Sequence, residues 1–172
     1  MKKKDLKPEE FEAYYGVYLA TLDDDTVLME QLQKGYENFP KFIQGIPDEK
    51  LNYAYAEGKW TVAQALLHII DTERIFQYRA FRFSRKDKTP LMGFDQDAYV
   101  LENDVRGQTK DSIIKAYQTV RASTIDVFKT IDENTLTYTG LASGLQWSVA
   151  GVGFAICGHQ RHHRNIIRER YL

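Results

Sequence analysis

The sequence predicts an all-α protein, a four-helix bundle with up-down-down-up topology and a long crossover between its second and third helices. Four long stretches repeat their apolar residues with the period of a helix. Alternation of apolar and polar residues never persists beyond a few residues, so we expect no strand. The connection between the second and third stretches is far longer than a helix hairpin needs.

The chain is predicted to begin with a short helix over about residues 8–22 that packs on the bundle. Pro8 opens this helix, because proline suits the first helical position and acidic residues follow it. The first long helix is expected over about residues 26–43. Its apolar face carries Leu28, Leu32, Gly35, Phe39 and Phe42.

The other long helices have clear starts. The second covers about residues 61–84, and Thr61 and Gln64 at its start have the spacing of a capping box. The third covers about residues 110–131, where apolar residues alternate by four and three as a packed seam requires. The fourth is expected over about residues 148–171.

The connection over residues 85–109 sets the topology. A second helix of about 24 residues is roughly 36 Å long, and an extended chain crosses that distance in about 11 residues. A full crossover therefore fits, so the second and third helices are expected to run parallel and the second and fourth antiparallel.

Composition excludes several classes of protein. The chain has 172 residues and a net charge of −1, which favours one folded domain over residues 1–172 and argues against disorder and nucleic-acid binding. Its single cysteine, Cys157, cannot form an internal disulfide. The longest apolar stretch, residues 149–158, is about half of a membrane span. With no apolar signal segment near the start, we expect a cytoplasmic protein without membrane contact.

Three histidines form the most informative pattern. His159 and His163 are four residues apart, so on a helix they point the same way from successive turns. His68 lies about 10 Å inside the start of the second helix, and the midpoint of the other two lies about 15 Å from the end of the fourth. In antiparallel helices the three imidazoles reach a similar level, which predicts a site for one metal ion.

Less specific interpretations remain open. A single histidine on a helix is usually a surface residue or a hydrogen-bonded core residue, and the spacing of His159 and His163 alone is weak support for a metal site. Because His159 and His163 share an apolar stripe, each neutral ring needs a partner for its polar nitrogens. His68 at the same depth favours a metal ion as that partner. His162 abuts an arginine-rich face and is expected to be a bystander.

The segments that carry these features resemble a known family. The stretches GKWTVAQALLHIIDTERIFQYRAFRF, KTPLMGFDQDAYV and GHQRHHRNIIRERYL are similar to the DinB/YfiT-like superfamily of metal-dependent enzymes, over nearly the whole chain from about Glu10. The resemblance implies an up-down-down-up bundle with zinc or nickel held by His68, His159 and His163, and a homodimer. Gln64 departs from the pattern, because many relatives carry an acidic residue there.

Other residues have competing interpretations. Asp71 lies one turn after His68, so it is a candidate catalytic base, a fourth ligand, an orienter of an imidazole, or simply a solvated carboxylate. Asp95 and Asp97 in the crossover either belong to a lid over the site or cap a short helix.

Two further sets of residues are interpreted as structural. Glu73 is expected to pair with Gln77 or a neighbouring lysine. The glycines of the fourth helix indicate close approach of another helix, with a dimer interface as one option, at positions Gly151, Gly153 and Gly158.

Two chemistries follow from three imidazoles and an open coordination position. The ion generates hydroxide for hydrolysis, or it holds a thiol as thiolate for attack on an electrophile. Because the resemblance includes transferases that use low-molecular-weight thiols, we place thiol S-transfer to or from a small-molecule substrate slightly ahead of hydrolysis. The alternative is a non-catalytic, stress-linked helical module that binds metal for stability.

Overall fold

The computed structural model describes residues 1–11 and 13–172 and contains four long helices. These are α2 (Leu28–Gln44), α3 (Val62–Ser84), α5 (Lys110–Lys129) and α6 (Val149–Arg170). Two short helices, α1 (Gly16–Leu19) and α4 (Gln96–Glu102), complete the helices of the described residues. Each long helix begins within about two residues of its predicted start, and side-chain caps encode the starts of α3, α5 and α6 locally.

Side chains at the helix starts explain these boundaries. The Thr61 hydroxyl accepts a hydrogen bond from the backbone N–H of Gln64, and the Gln64 side-chain oxygen accepts one from the backbone N–H of Thr61, so the predicted capping box is present. Thr109 and Ser112 do the same for α5. Ser148 accepts from the backbone N–H of Gly151 and starts α6.

The long helices form the predicted bundle with up-down-down-up order. Helix α3 packs mainly against α6 and α5, and α2 packs against α5 and α6. The crossover between α3 and α5 carries α4, which packs on α3. Asp95 caps α4 by accepting from the backbone of Asp97 and Ala98, as one of the two interpretations of this segment predicts.

A β-hairpin corrects the expectation of no strand. Strands β1 (Thr139–Ala142) and β2 (Leu145–Ser148) pair antiparallel through a turn at Ser143 and Gly144, where φ is 56° and 74°. Strands of four residues are too short to show a period-two pattern in the sequence. The hairpin also holds the start of the crossover, because Leu91 donates to the carbonyl of Leu141 and accepts from the backbone of Ser143.

The N-terminal part is less regular than predicted. In place of one helix over about 8–22, the described residues form 3-10 turns at Pro8–Glu10 and Ala13–Tyr15, followed by α1. Glu12 lies outside the described residues. The segment packs on the bundle as expected, with the ring of Tyr15 edge-on to Trp147. Its packing against α6, rather than its own helical periodicity, sets its course.

Glycines of α6 make this packing possible. A Cβ on Gly151 would lie 2.4 Å from the carbonyl oxygen of Glu10, and one on Gly158 would lie 2.4 Å from that of Tyr18. A Cβ on Gly153 would lie 2.8 Å from the side chain of Phe128 and 3.0 Å from that of Leu28. The close approach inferred from these glycines therefore takes place within the chain, and a dimer interface is not needed to explain it.

Replacing Gly151 with alanine is expected to destabilise the protein by about 1–3 kcal/mol, because overpacking outweighs the roughly 1 kcal/mol gain in helix propensity. Urea unfolding followed by circular dichroism measures the change. The matched control is Gly16→Ala, since no atom lies within 4 Å of a Cβ at that position. A Gly151→Ala protein as stable as the control would contradict the packing described here.

A polar layer divides the core into two apolar clusters. Helix α3 contributes Leu66 and Ile69 to one cluster and Phe76 to the other. Between them it buries Thr72 and Glu73. Among the helices of the described residues, none is both long and apolar enough to cross a bilayer. The polar layer is the part of the core that positions the functional residues.

Candidate metal centre

Helices α3 and α6 bring the three predicted histidines together. The closest ligand atoms, Nε2 of His68 and Nε2 of His159, are 3.0 Å apart. With His163 included, one ring nitrogen from each residue lies within 4.8 Å of the others. Residues 91 positions apart in the chain meet because α3 and α6 run antiparallel with their histidines at the same level.

Burial keeps these imidazoles neutral. His68 and His159 are 3% and 4% exposed, and His163 is half-buried. Burial lowers the pKa of His68 to about 4 and that of His163 to about 3, and the neighbouring histidines add to the effect at His163. Burial also places the pKa of His159 well below its usual range. At neutral pH the three rings therefore carry lone pairs and no net charge.

These pKa values predict how the metal-free protein responds to acid. The unfolded chain takes up protons near the ordinary histidine pKa of 6.5, whereas folded His68 and His163 do so only near 4 and 3. The contribution of these two histidines to the free energy of unfolding is therefore greatest above pH 6.5. It declines as the pH falls from 6.5 towards the folded pKa values of about 4 and about 3. His163→Gln should reduce the slope by up to about 1.4 kcal/mol per pH unit.

Urea unfolding in the presence of a chelator, at several values between about pH 7 and pH 5, measures this slope. An equal slope for the wild type and His163→Gln would show that His163 is not held neutral by burial.

A neighbouring hydroxyl contacts one of the three rings. Thr72 Oγ1 lies 3.5 Å from Nδ1 of His68, one helical turn further along α3, and both residues are buried. When Nδ1 carries the proton and donates to Thr72, Nε2 presents its lone pair to the other histidines. Partners of this kind set the tautomer and orientation of a ligand.

Two cavities flank the histidine cluster. The His163 cavity, of about 270 Å³, is also lined by Lys59, Trp60 and Asp97. The His159 cavity, of about 250 Å³, is also lined by Thr72 and Phe76 and by Phe94 and Gln96 of the crossover. Because neighbouring residues Gln96 and Asp97 line different cavities, the crossover separates two approaches to the same cluster.

Comparison with known proteins identifies the family. A family model described as the DinB superfamily matches residues 31–167. The chain belongs to the DinB superfamily. The matched region includes the three histidines, all of α3, the whole crossover and α6 as far as Ile167.

One relative and one solved structure are informative for this DinB protein. A protein of Oceanobacillus iheyensis named a putative metal-dependent hydrolase is 23% identical over 146 residues, covering 83% of each chain. The structure of YfiT from Bacillus subtilis, described as a probable metal-dependent hydrolase with an unusual four-helix bundle topology, is 18% identical with a TM-score of 0.71. It covers 83% of this chain and 82% of YfiT. At this identity the likeness to YfiT shows a shared fold.

Asp71 is not among the residues whose ligand atoms meet in the cluster of the DinB bundle. Its carboxylate accepts hydrogen bonds from Arg74 at 2.6 Å and from Asn103 of the crossover at 3.1 Å. This arrangement ties the crossover to α3. A catalytic role for Asp71 stays a prediction, and as a base it would have to exchange one of these partners for a substrate or a water.

The crossover aspartates take different positions in the DinB fold. Asp95 is the cap of α4, and Asp97 lines the His163 cavity. Cys157 is buried in the core, and burial raises the pKa of its thiol to about 12. The cluster contains neither His162 nor any cysteine or carboxylate among the described residues.

The prediction for Glu73 was wrong. Glu73 is 2% exposed and forms a two-bonded ion pair with Arg121 of α5, with N···O distances of 2.6 and 2.8 Å. Thr124 donates to the same carboxylate, and Arg121 also donates to Gln160, the residue after His159. A signal was present, because Glu73 follows Ile69 by four residues and precedes Phe76 by three on the apolar stripe of α3.

Proposed function

We propose that this chain is a metal-dependent enzyme in which His68, His159 and His163 bind one zinc or nickel ion. The observation that supports the proposal is the convergence of three neutral, largely buried imidazoles from two helices. In a core without metal, each protonated ring nitrogen would normally face an acceptor and each unprotonated one a donor. Here two Nε2 atoms face each other, so at most one of them can donate to the other.

The donor set fits a divalent transition metal. Neutral imidazole is a good ligand for zinc and nickel. Bonds of about 2.1 Å hold two ligand atoms of one ion at most about 4.2 Å apart. Since the three nitrogens already lie within 4.8 Å, side-chain adjustments below one ångström are sufficient. Three protein ligands leave a coordination position open, which is typical of a catalytic site.

Hydrolysis of a small-molecule substrate is the reaction we favour. A divalent ion bound here lowers the pKa of a water towards about 7, or holds a thiol as thiolate. The Oceanobacillus iheyensis protein and YfiT are both described as metal-dependent hydrolases, and these descriptions support activation of water. In this chain Thr72 Oγ1 lies 3.5 Å from Nδ1 of His68, and the two cavities lead to the cluster from two sides.

Thiol S-transfer is the second candidate, because a two-substrate reaction suits two separate cavities. A low-molecular-weight thiol approaching His163 and an electrophile approaching His159 would meet at the same cluster. This two-sided arrangement is the observation that keeps thiol transfer beside hydrolysis.

Assays of the metal-loaded full chain separate these chemistries. Protein purified without an affinity tag is loaded with zinc or nickel and tested with p-nitrophenyl esters, and separately with cysteine and an aromatic chloride as electrophile. Turnover that disappears with a chelator, returns with metal and is lost in His68→Ala supports an enzyme. Tight metal binding that stabilises the fold without turnover in either assay would favour the non-catalytic module.

Thr72→Val is expected to weaken metal binding by about 10-fold to 100-fold, because removal of a partner that orients a ligand usually has this effect. Thr72→Ser retains the hydroxyl and should stay close to the wild type. Competition with a chelator of known affinity measures the change. Equal metal affinity in the valine and serine variants would exclude an orienting role for Thr72.

A further inference from the structure

The His159 cavity extends from the histidine cluster towards the β-hairpin. His159 and Thr72 are buried at one side of it, and Ser143, at the hairpin turn, is an exposed part of its lining. The rings of Phe76 and Phe94 supply apolar wall. No acidic side chain lines this cavity among the described residues, and its polar lining consists of hydroxyl, amide and imidazole groups.

A buried cation stands behind this lining. Arg79 is 2% exposed, and its guanidinium carbon lies 5.3 Å from the centre of the Phe76 ring and 6.0 Å from that of Phe94. It donates to the hydroxyl of Ser143 at 2.8 Å and to the carbonyl of Met92 at 3.4 Å.

Arg79 has no negatively charged partner within the described part of the chain. It forms no ion pair with a described carboxylate, and its Nε has no hydrogen-bond partner. Burial lowers the pKa of the guanidinium, and a hydrogen bond with Tyr15 opposes that effect. Arginine nevertheless stays protonated in proteins, so a full positive charge lies buried beside neutral groups. Buried charges are normally paired, so an unpaired one is unusual.

The contact with Arg79 also directs the Ser143 hydroxyl. Because its oxygen accepts from Arg79, its single proton points away from the guanidinium and remains available to a ligand in the cavity that Ser143 lines. Ser143 adopts φ of 56°, a conformation uncommon for residues other than glycine, and a Cβ on Gly93 would lie 3.2 Å from its hydroxyl. The hydroxyl therefore lies between the Arg79 guanidinium and the backbone of Gly93.

We propose that the His159 cavity is the substrate pocket of the histidine centre, and that Ser143 backed by Arg79 recognises a carboxylate on that substrate. This inference rests on the proposed function, because it places the reacting group beside His159. The carboxylate accepts from the Ser143 hydroxyl, and its charge offsets that of Arg79. The apolar part of the substrate lies against Phe76 and Phe94, between the carboxylate and the cluster.

The size of the cavity limits the substrate. A cavity of about 250 Å³ equals the volume of roughly eight molecules of liquid water. The expected substrate is therefore a small monocarboxylate with a short apolar body. We use hexanoate as the probe, with hexanamide and hexanol as neutral counterparts of the same length.

Titrations followed by NMR chemical shifts test the proposal in the full chain, both loaded with zinc and freed of metal. Hexanoate is expected to bind at one site and hexanamide and hexanol at least about 10-fold more weakly, since hydrogen bonds to charged groups are about twice as strong as neutral ones. Binding should weaken by about 10-fold to 100-fold in Arg79→Met and by about 2-fold to 10-fold in Ser143→Gly. The control, Arg85→Gln, removes an exposed arginine close to the end of the same helix and should leave hexanoate affinity unchanged.

Stability separates recognition from a structural role. None of the described carboxylates pairs with Arg79, so Arg79→Met should leave no described counter-charge unpaired and be at least as stable as the wild type while losing hexanoate affinity. If Arg79→Met fails to fold, Arg79 is structural, and Ser143→Gly, which suits the positive φ, decides whether the hydroxyl recognises the carboxylate. Hexanoate affinity unchanged in both variants, or equal affinity for the neutral counterparts, would overturn the proposal.

The two metal states distinguish this proposal from the proposed function. Arg79-dependent hexanoate binding in metal-free protein that never binds zinc would refute the metal centre alone. Stoichiometric zinc binding, together with hexanoate affinity that is unchanged in Arg79→Met and Ser143→Gly, would refute the carboxylate pocket alone.

Discussion

His159→Gln is expected to abolish stoichiometric metal binding. His159 is buried, its Nε2 lies 3.0 Å from that of His68, and no fourth ligand belongs to the cluster among the described residues. We expect affinity to fall by more than about 100-fold, because the loss of a residue that merely orients a ligand already costs about 10-fold to 100-fold. Elemental analysis of tag-free protein after dialysis gives the metal content per chain.

The thermal midpoint offers a second measurement. A metal present at about 1,000 times its dissociation constant stabilises the folded protein by about 4 kcal/mol, and the variant should lose that response to added metal. His162→Gln is the matched control, because His162 lies on the same helix three residues away but outside the cluster. Full metal content in His159→Gln, or equal loss in both variants, would contradict a centre built on these three residues.

Breaking the buried ion pair between Glu73 and Arg121 is expected to be the largest change in stability away from the metal. Both side chains are almost fully buried. Burial alone would lower the pKa of Arg121, but the Glu73 carboxylate raises it above its usual range. Glu73→Leu leaves the guanidinium uncompensated and should cost about 3–5 kcal/mol. Urea unfolding of the metal-free protein measures this loss.

A double variant tests whether the pair itself is responsible. Glu73→Leu combined with Arg121→Met should recover much of the loss, because no buried charge then remains unpaired. The control, Glu30→Gln, removes one partner of the exposed pair with Lys34 and should change stability by less than about 0.5 kcal/mol. Additive losses in the double variant would show that the two residues act independently.

The agreement between sequence and structure is best for the helices and the depth of the histidines. Thr61, Thr109 and Ser148 cap their own helices through contacts with residues at most three positions away. The level of His68 relative to His159 follows from helical rise once the crossover makes α3 and α6 antiparallel. These features depend on local spacing and on a connection length, and both can be read directly from the chain.

Other features depend on contacts between distant residues. The pairing of Glu73 with Arg121 joins residues 48 positions apart, and charged residues on apolar stripes give no indication of which will meet. The hairpin forms from strands of four residues that also hold Leu91 of the crossover. The position of Asp71 against Asn103 likewise follows from the path of the crossover.

The amino-acid order by itself determined four long amphipathic helices, the crossover and the histidine spacing, because period and capping act over a few neighbouring residues. Only the tertiary structure decided that Gly151 and Gly158 of α6 face the backbone of the N-terminal segment, that Arg79 lies buried behind Ser143, and that the histidine cluster has two cavities. Those outcomes depend on side chains far apart in sequence competing for the same space, a property that no local pattern contains.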